Sequence, residues 1–170
     1  CSSDLKYAGA ADWQPIARLA RRLPVPVVGS GDVTDAASFR ARRALGVGVM
    51  IARGALGRPW LFAEVRGEPA PAWPEAARVV VEHAQAQAAW YGEARGIRSL
   101  RGHLAHYVAG YPEAADLRDR LVRVDTVADV VRTLAPRLPS GSLDGVLERP
   151  DAHATMRHSS APADGGGLRV

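Results

Sequence analysis

Hydrophobic positions along the chain follow the helical and strand periods in turn. Ile16, Leu19, Ala20 and Leu23 recur at helical spacing behind Asp12, which predicts a helix over 12–23 with Asp12 as its N-cap and Pro24 as its stop. The run Val25-Pro26-Val27-Val28-Gly29 then reads as a strand over 25–29. Thr34 is the expected cap of a helix at about 35–45, whose apolar side includes Ala37, Phe39 and Ala41. A second strand over 47–51 follows, and then a helix at roughly 54–65 that begins inside a glycine loop. Short β-branched runs separated by helices indicate parallel strands buried on both faces.

A different texture starts at Gly67-Glu68-Pro69-Ala70-Pro71-Ala72-Trp73-Pro74, a linker in which proline and glycine sustain neither period. Beyond it Ala76, Val79, Val80, His83, Ala84, Gln87 and Trp90 mark a helix over 75–91. Ile97, Leu100, Leu104 and Val108 mark a second over about 95–109, broken by Gly110-Tyr111-Pro112. A third helix is expected over 113–123. Val127, Val130, Val131 and Leu134 mark a fourth, opened by an Asp125-Thr126 cap. Short connections imply a compact helical bundle over 75–138. From 139 to 170 the periodicity is lost in Ser, Gly, Pro and Ala, and a disordered tail is expected.

Both predicted strands run into glycine loops, Gly29-Ser30-Gly31-Asp32 and Ala52-Arg53-Gly54. Glycine after a parallel strand lets backbone approach a ligand closely, and the N-terminus of the next helix suits a phosphate. Two such loops in succession look like the phosphate-gripping end of a TIM barrel, formed there by the loops after strands seven and eight.

Three stretches carry a family resemblance. They are Tyr7-Ala8-Gly9-Ala10-Ala11-Asp12-Trp13, Pro26-Val27-Val28-Gly29-Ser30-Gly31-Asp32-Val33, and Val49-Met50-Ile51-Ala52-Arg53-Gly54 continued by Pro59-Trp60-Leu61-Phe62. In this order and spacing they resemble the closing part of the tRNA-dihydrouridine synthase barrel. The likeness continues more weakly through Tyr91-Gly92, Gly96-Ile97-Arg98 and Arg101-Gly102-His103 to about Leu134, roughly four fifths of the chain. A TIM barrel needs about 250 residues, and only residues 1–66 here read as α/β. The implied fold is therefore α/β: a C-terminal fragment of a TIM (β/α)8 barrel, then the all-α bundle.

The resemblance implies an enzyme that reduces uridine to 5,6-dihydrouridine in tRNA, with FMN as cofactor and NADPH as reductant. It places Ser30, Gly31, Asp32, Ala52 and Arg53 at the cofactor, and Arg95, Arg98, Arg101 and His103 on tRNA. Ser30 stands where the family has asparagine, Ala52 where it has glycine, and Gly102 where it has lysine. An alanine at 52 requires a negative φ. No catalytic residue is assigned: the family's proton-donating cysteine belongs upstream of this segment, and Cys1 does not match its motif. Trp60 and Phe62 read as packing residues, and Tyr91, Tyr107 and Tyr111 as core or cap residues.

Composition adds little against this picture. One cysteine excludes a disulfide framework, no apolar run approaches the ~20 residues of a membrane span, and no metal-ligand spacing occurs among the histidines. The net charge is +4, and Lys6 is the single lysine among 22 basic residues. Arginine pairs bidentately with phosphate and stacks on bases, which is compatible with RNA. A cytoplasmic protein, monomeric when complete, is expected. Two alternatives stay open: another FMN-linked TIM-barrel oxidoreductase acting on a small molecule, or a truncated remnant that acts at most as an RNA-binding module. With two βα units the segment alone is expected to show neither FMN affinity nor reductase activity. Recovery of the purified chain in a yellow, flavin-loaded form would contradict this.

Overall fold

A computed structural model describes residues 9–111 and 114–144. The chain is α/β, mostly helical with a small parallel sheet. In order come α1 (Gln14–Arg22), β1 (Val28–Ser30), α2 (Ala36–Arg43) and β2 (Gly48–Met50). They are followed by α3 (Leu61–Glu64), α4 (Trp73–Tyr91), α5 (Glu93–Tyr107), α6 (Ala114–Leu121) and α7 (Val127–Leu134). Single 3-10 turns occupy Arg53–Ala55 and Ala135–Arg137.

The strands pair in parallel with Val28 opposite Gly48, Gly29 opposite Val49 and Ser30 opposite Met50. Burial on both faces, expected from the apolar runs, does not occur: Val28 is 64 % and Met50 52 % exposed. Only one side of this two-stranded sheet carries packed elements among the described residues. There Trp13, Val33 and Val47 form a small buried cluster, with Ile16, Ala20, Phe39, Leu45, Val49 and Ile51 around it.

Local chemistry moves several boundaries. Asp35, not Thr34, caps α2: its Oδ1 accepts from Ser38 N at 2.7 Å while Ser38 Oγ accepts from Asp35 N at 3.1 Å. Asp12 sits one residue outside the cap of α1, yet its Oδ1 still accepts from Gln14 N at 2.9 Å. The helix expected over 54–65 splits into the 3-10 turn and α3, because Gly57 adopts φ +68° and Pro59 interrupts the backbone ladder.

Helices α4 to α7 enclose the larger core, in which Val80, Val81, Ile97, Leu100, Leu104, Leu117, Leu121, Val130 and Leu134 are almost wholly buried. Thr126 caps α7 through Asp129 N at 3.1 Å, as the Asp125-Thr126 pair predicts. The capping boxes of α2 and α7 hold the carboxyls of Asp35 and Asp129 below the ordinary 3.8, chiefly through backbone N–H donors. Trp90 departs from its expected place on the apolar face and is 64 % exposed. Pro139 O accepts from Ser142 N and Leu143 is 7 % exposed against the core, so the irregular tail starts as a packed turn over 139–144. Arg78 Nε donates to Ser142 O at 2.6 Å and anchors it. The remaining tail and Cys1 lie outside the described residues.

The two cores meet at Gly57. A Cβ there would lie 2.3 Å from the carbonyl carbon of His106 and 2.5 Å from Tyr107 N. Gly57→Ala combines left-handed strain with a backbone clash, and should destabilise the chain by about 2–4 kcal/mol. The expected readout is a lower urea midpoint at unchanged slope.

Candidate functional site

The glycine loops lie side by side beyond the carboxyl ends of β1 and β2. Gly54 allows this, since a Cβ on it would come within 2.1 Å of Val33 O. The first loop is held from below. Trp13 Nε1 donates to Gly31 O at 3.0 Å, and Ala11 N donates to Asp32 Oδ2 at 2.5 Å. Trp13 itself is 2 % exposed, with its ring under Gly29. Asp32 takes φ +51°, a conformation that Asp tolerates better than most residues. Ser30 is half-buried at the end of β1.

In the second loop Ala52 has φ −117°, the negative value its Cβ requires. Arg53 is 62 % exposed, and its guanidinium stands 3.9 Å from Asp32 Oδ1. The structure thus brings Gly31, Asp32, Ala52 and Arg53 to one rim. An exposed pair of this length contributes little stability. At the start of α2 Asp35 Oδ1 accepts from Ser38 N, and the second loop enters a single 3-10 turn. Arg58, which the sequence reading passed over, ties the rim to the helices. It forms a bidentate pair with Glu64 and donates to Thr34 O at 3.4 Å.

On the helical side the arginines differ from one another. Arg95 and Arg98 are exposed on α5. Arg101 is 27 % exposed and is fastened to the α6–α7 connection, with Nε to Val124 O at 2.8 Å and a nitrogen to Asp125 Oδ1 at 2.6 Å. Its removal therefore loosens that connection. His103 is exposed, with its ring 6.1 Å from that of His83. His83 Nδ1 lies 3.1 Å from the Tyr107 hydroxyl. Tyr107 is in the core and Tyr111 packs at a tilt against Trp73 with ring centroids 4.3 Å apart, but Tyr91 is 49 % exposed with Arg95 over its ring at 5.7 Å. Trp60 packs toward Tyr107, whereas Phe62 is 47 % exposed.

The family model described as Dihydrouridine synthase (Dus) matches residues 2–139. The chain belongs to the dihydrouridine synthase family. It is 42 % identical over 157 residues to a probable tRNA-dihydrouridine synthase of Mycobacterium leprae, covering 86 % of this chain and 39 % of that protein. With the Mycobacterium tuberculosis protein of the same name the identity is 41 % over 162 residues, covering 89 % and 40 %. A tRNA-dihydrouridine synthase B of Pseudomonas putida is 37 % identical over 123 residues, covering 67 % and 36 %. The chain spans about two fifths of the length of the curated relatives it matches. Among the described residues, no helix is long and apolar enough to cross a membrane.

Burial, and then the neighbouring His103, push the pKa of His83 below the ordinary 6.5. The unfolded chain then binds the proton more readily than the folded one. Stability should fall as pH drops through about 6.5 and level off below the folded-state value. Urea midpoints from pH 8 to pH 5 should show this step, and His83→Gln should remove it. The capping-box carboxyls of Asp35 and Asp129 act in a separate, more acidic window.

Proposed function

We propose that this segment is the cofactor rim and RNA-gripping part of an FMN-dependent enzyme that reduces uridine to 5,6-dihydrouridine in tRNA. The supporting observation is the rim itself: two glycine loops at the ends of parallel strands, with Asp32 and Arg53 side by side. An exposed guanidinium on a backbone that Gly54 keeps close to its neighbour suits the phosphate end of FMN. In this reading Arg53 and the backbone of Ala52 hold the phosphate, and Ser30, Gly31 and Asp32 line the adjoining polar chain. When bound, FMN supplies the redox chemistry, with NADPH as the reductant. The chain's own residues anchor the cofactor and turn the helices toward the substrate. Family membership favours tRNA over a small-molecule substrate.

Residues 1–66 form the end of a TIM barrel and 75–138 the tRNA-binding bundle in this reading, joined by 67–74. Arg95, Arg98 and His103 face tRNA, and Arg101 shapes the same surface through Val124 and Asp125. The enzyme works in the cytoplasm as a monomer, and the segment alone is inactive.

Arg53 gives the decisive test. In a protein of full family length carrying this segment, Arg53→Ala should weaken FMN binding by about 1.5–3 kcal/mol, the range for hydrogen bonds to charged groups. Flavin retained after gel filtration and flavin affinity of the stripped protein are the measurements. Unchanged values would remove Arg53 from the cofactor site.

A further inference from the structure

Behind the rim, the last turn of α2 carries Arg40, Arg42 and Arg43. Arg40 and Arg43 are exposed, which suits cations at a helix C-terminus, and Arg43 donates to Val47 O at 2.9 Å. Arg42 turns inward instead. It is half-buried, and its guanidinium carbon lies 5.3 Å from the ring centroid of Trp13. Its Nε is shielded from solvent and has no hydrogen-bond partner among the described residues. Neither α1 nor α2 contains an acidic residue, so no ion pair within these helices draws it in. A shielded N–H without an acceptor costs stability. What the cation gains in return is the indole face, the best of the aromatic partners for a guanidinium.

Trp13 carries this contact to the first glycine loop. Its benzo edge occupies the space that a side chain on Gly29 would take: a Cβ there would lie 2.6 Å from Cζ3. Its Nε1 donates to Gly31 O at 3.0 Å. Gly31 takes φ +135°, which only glycine adopts readily, so no side chain of its own anchors it. The next residue is Asp32, whose carboxylate faces Arg53. A cation over the ring face draws electron density from the indole and makes its N–H a stronger donor, since linked polar groups polarise one another. Arg42 thus bears on the loop twice, by holding the ring and by charging the donor.

We infer that Arg42 is a positioning residue of the first loop, acting through the Trp13 indole N–H on Gly31 O. The loop backbone beneath Asp32 is set by a charge that does not itself reach the rim. The consequence for FMN rests on the cofactor reading above and deepens it; the grip on the loop does not depend on that reading.

The test uses a protein of full family length carrying this segment, with nitrogen-labelled tryptophan. Arg42→Met keeps an aliphatic stem against Trp13 and removes the charge. The Trp13 indole N–H resonance should move upfield as its hydrogen bond weakens, while those of Trp60 and Trp73 stay in place. FMN affinity should fall by about 2- to 30-fold, the value of one cation–π pair. Trp13→Phe keeps a ring and removes the donor, so adding Arg42→Met to it should cost no further FMN affinity. An unmoved indole resonance, or an equal FMN loss from Arg42→Met in both backgrounds, would overturn the inference. Flavin affinity that falls in Arg53→Ala but not in Arg42→Met would also overturn it and leave the cofactor reading standing. An indole shift with flavin affinity unchanged in both Arg42→Met and Arg53→Ala would sink the cofactor reading and keep the grip of Arg42 on the loop.

Discussion

One close approach holds the two halves of this chain in register: the missing side chain of Gly57 against the backbone of His106 and Tyr107. Because the contact is backbone on backbone, no rotamer change can relieve or replace it. Around it Leu61 is fully buried, Trp60 packs toward Tyr107, and Arg58 spans from Glu64 to the carbonyl of Thr34. The loop rim and the helical surface are thereby positioned by the same few residues. A ligand held at one is set in orientation relative to the other.

Rigidity and freedom are divided within the rim. Its backbone is fixed from beneath by Trp13 and Ala11, which bond to Gly31 and Asp32, and by the Gly54–Val33 contact. Its charged tips are exposed, and the Asp32–Arg53 separation of 3.9 Å marks a weak pair in water. In the reading proposed above, this division suits an anion site shaped in advance and open to exchange. The same division recurs among the arginines of α5, where Arg101 is committed to Val124 and Asp125 while Arg95 and Arg98 face solvent.

Helical stretches whose apolar residues repeat at one period were legible from sequence. Ile97, Leu100, Leu104 and Val108 all enter the core, because a stripe that wide has to be buried somewhere. Trp90 and Tyr91 were not legible, since spacing places them on α4 without saying where its neighbours end. The exchange of Thr34 for Asp35 as cap is of a similar kind: both residue types suit the role, and backbone geometry chose between them. The break at Gly57 and Pro59 was written in the chain, but the helical period around it hid the interruption.

The sequence by itself determined the order of elements, the glycine loops after the strands, the charge of the chain and its resemblance to the family it proved to belong to. These depend on local pattern, and local pattern survives without knowledge of contacts. Tertiary structure alone decided that Asp32 and Arg53 share a rim, that Arg101 is structural where Arg98 is exposed, and that Gln87 holds an orphaned acceptor. The rim follows from which backbones come within touching distance at Gly54. Composition and periodicity record that glycine is present; only the packed chain shows what lies against it.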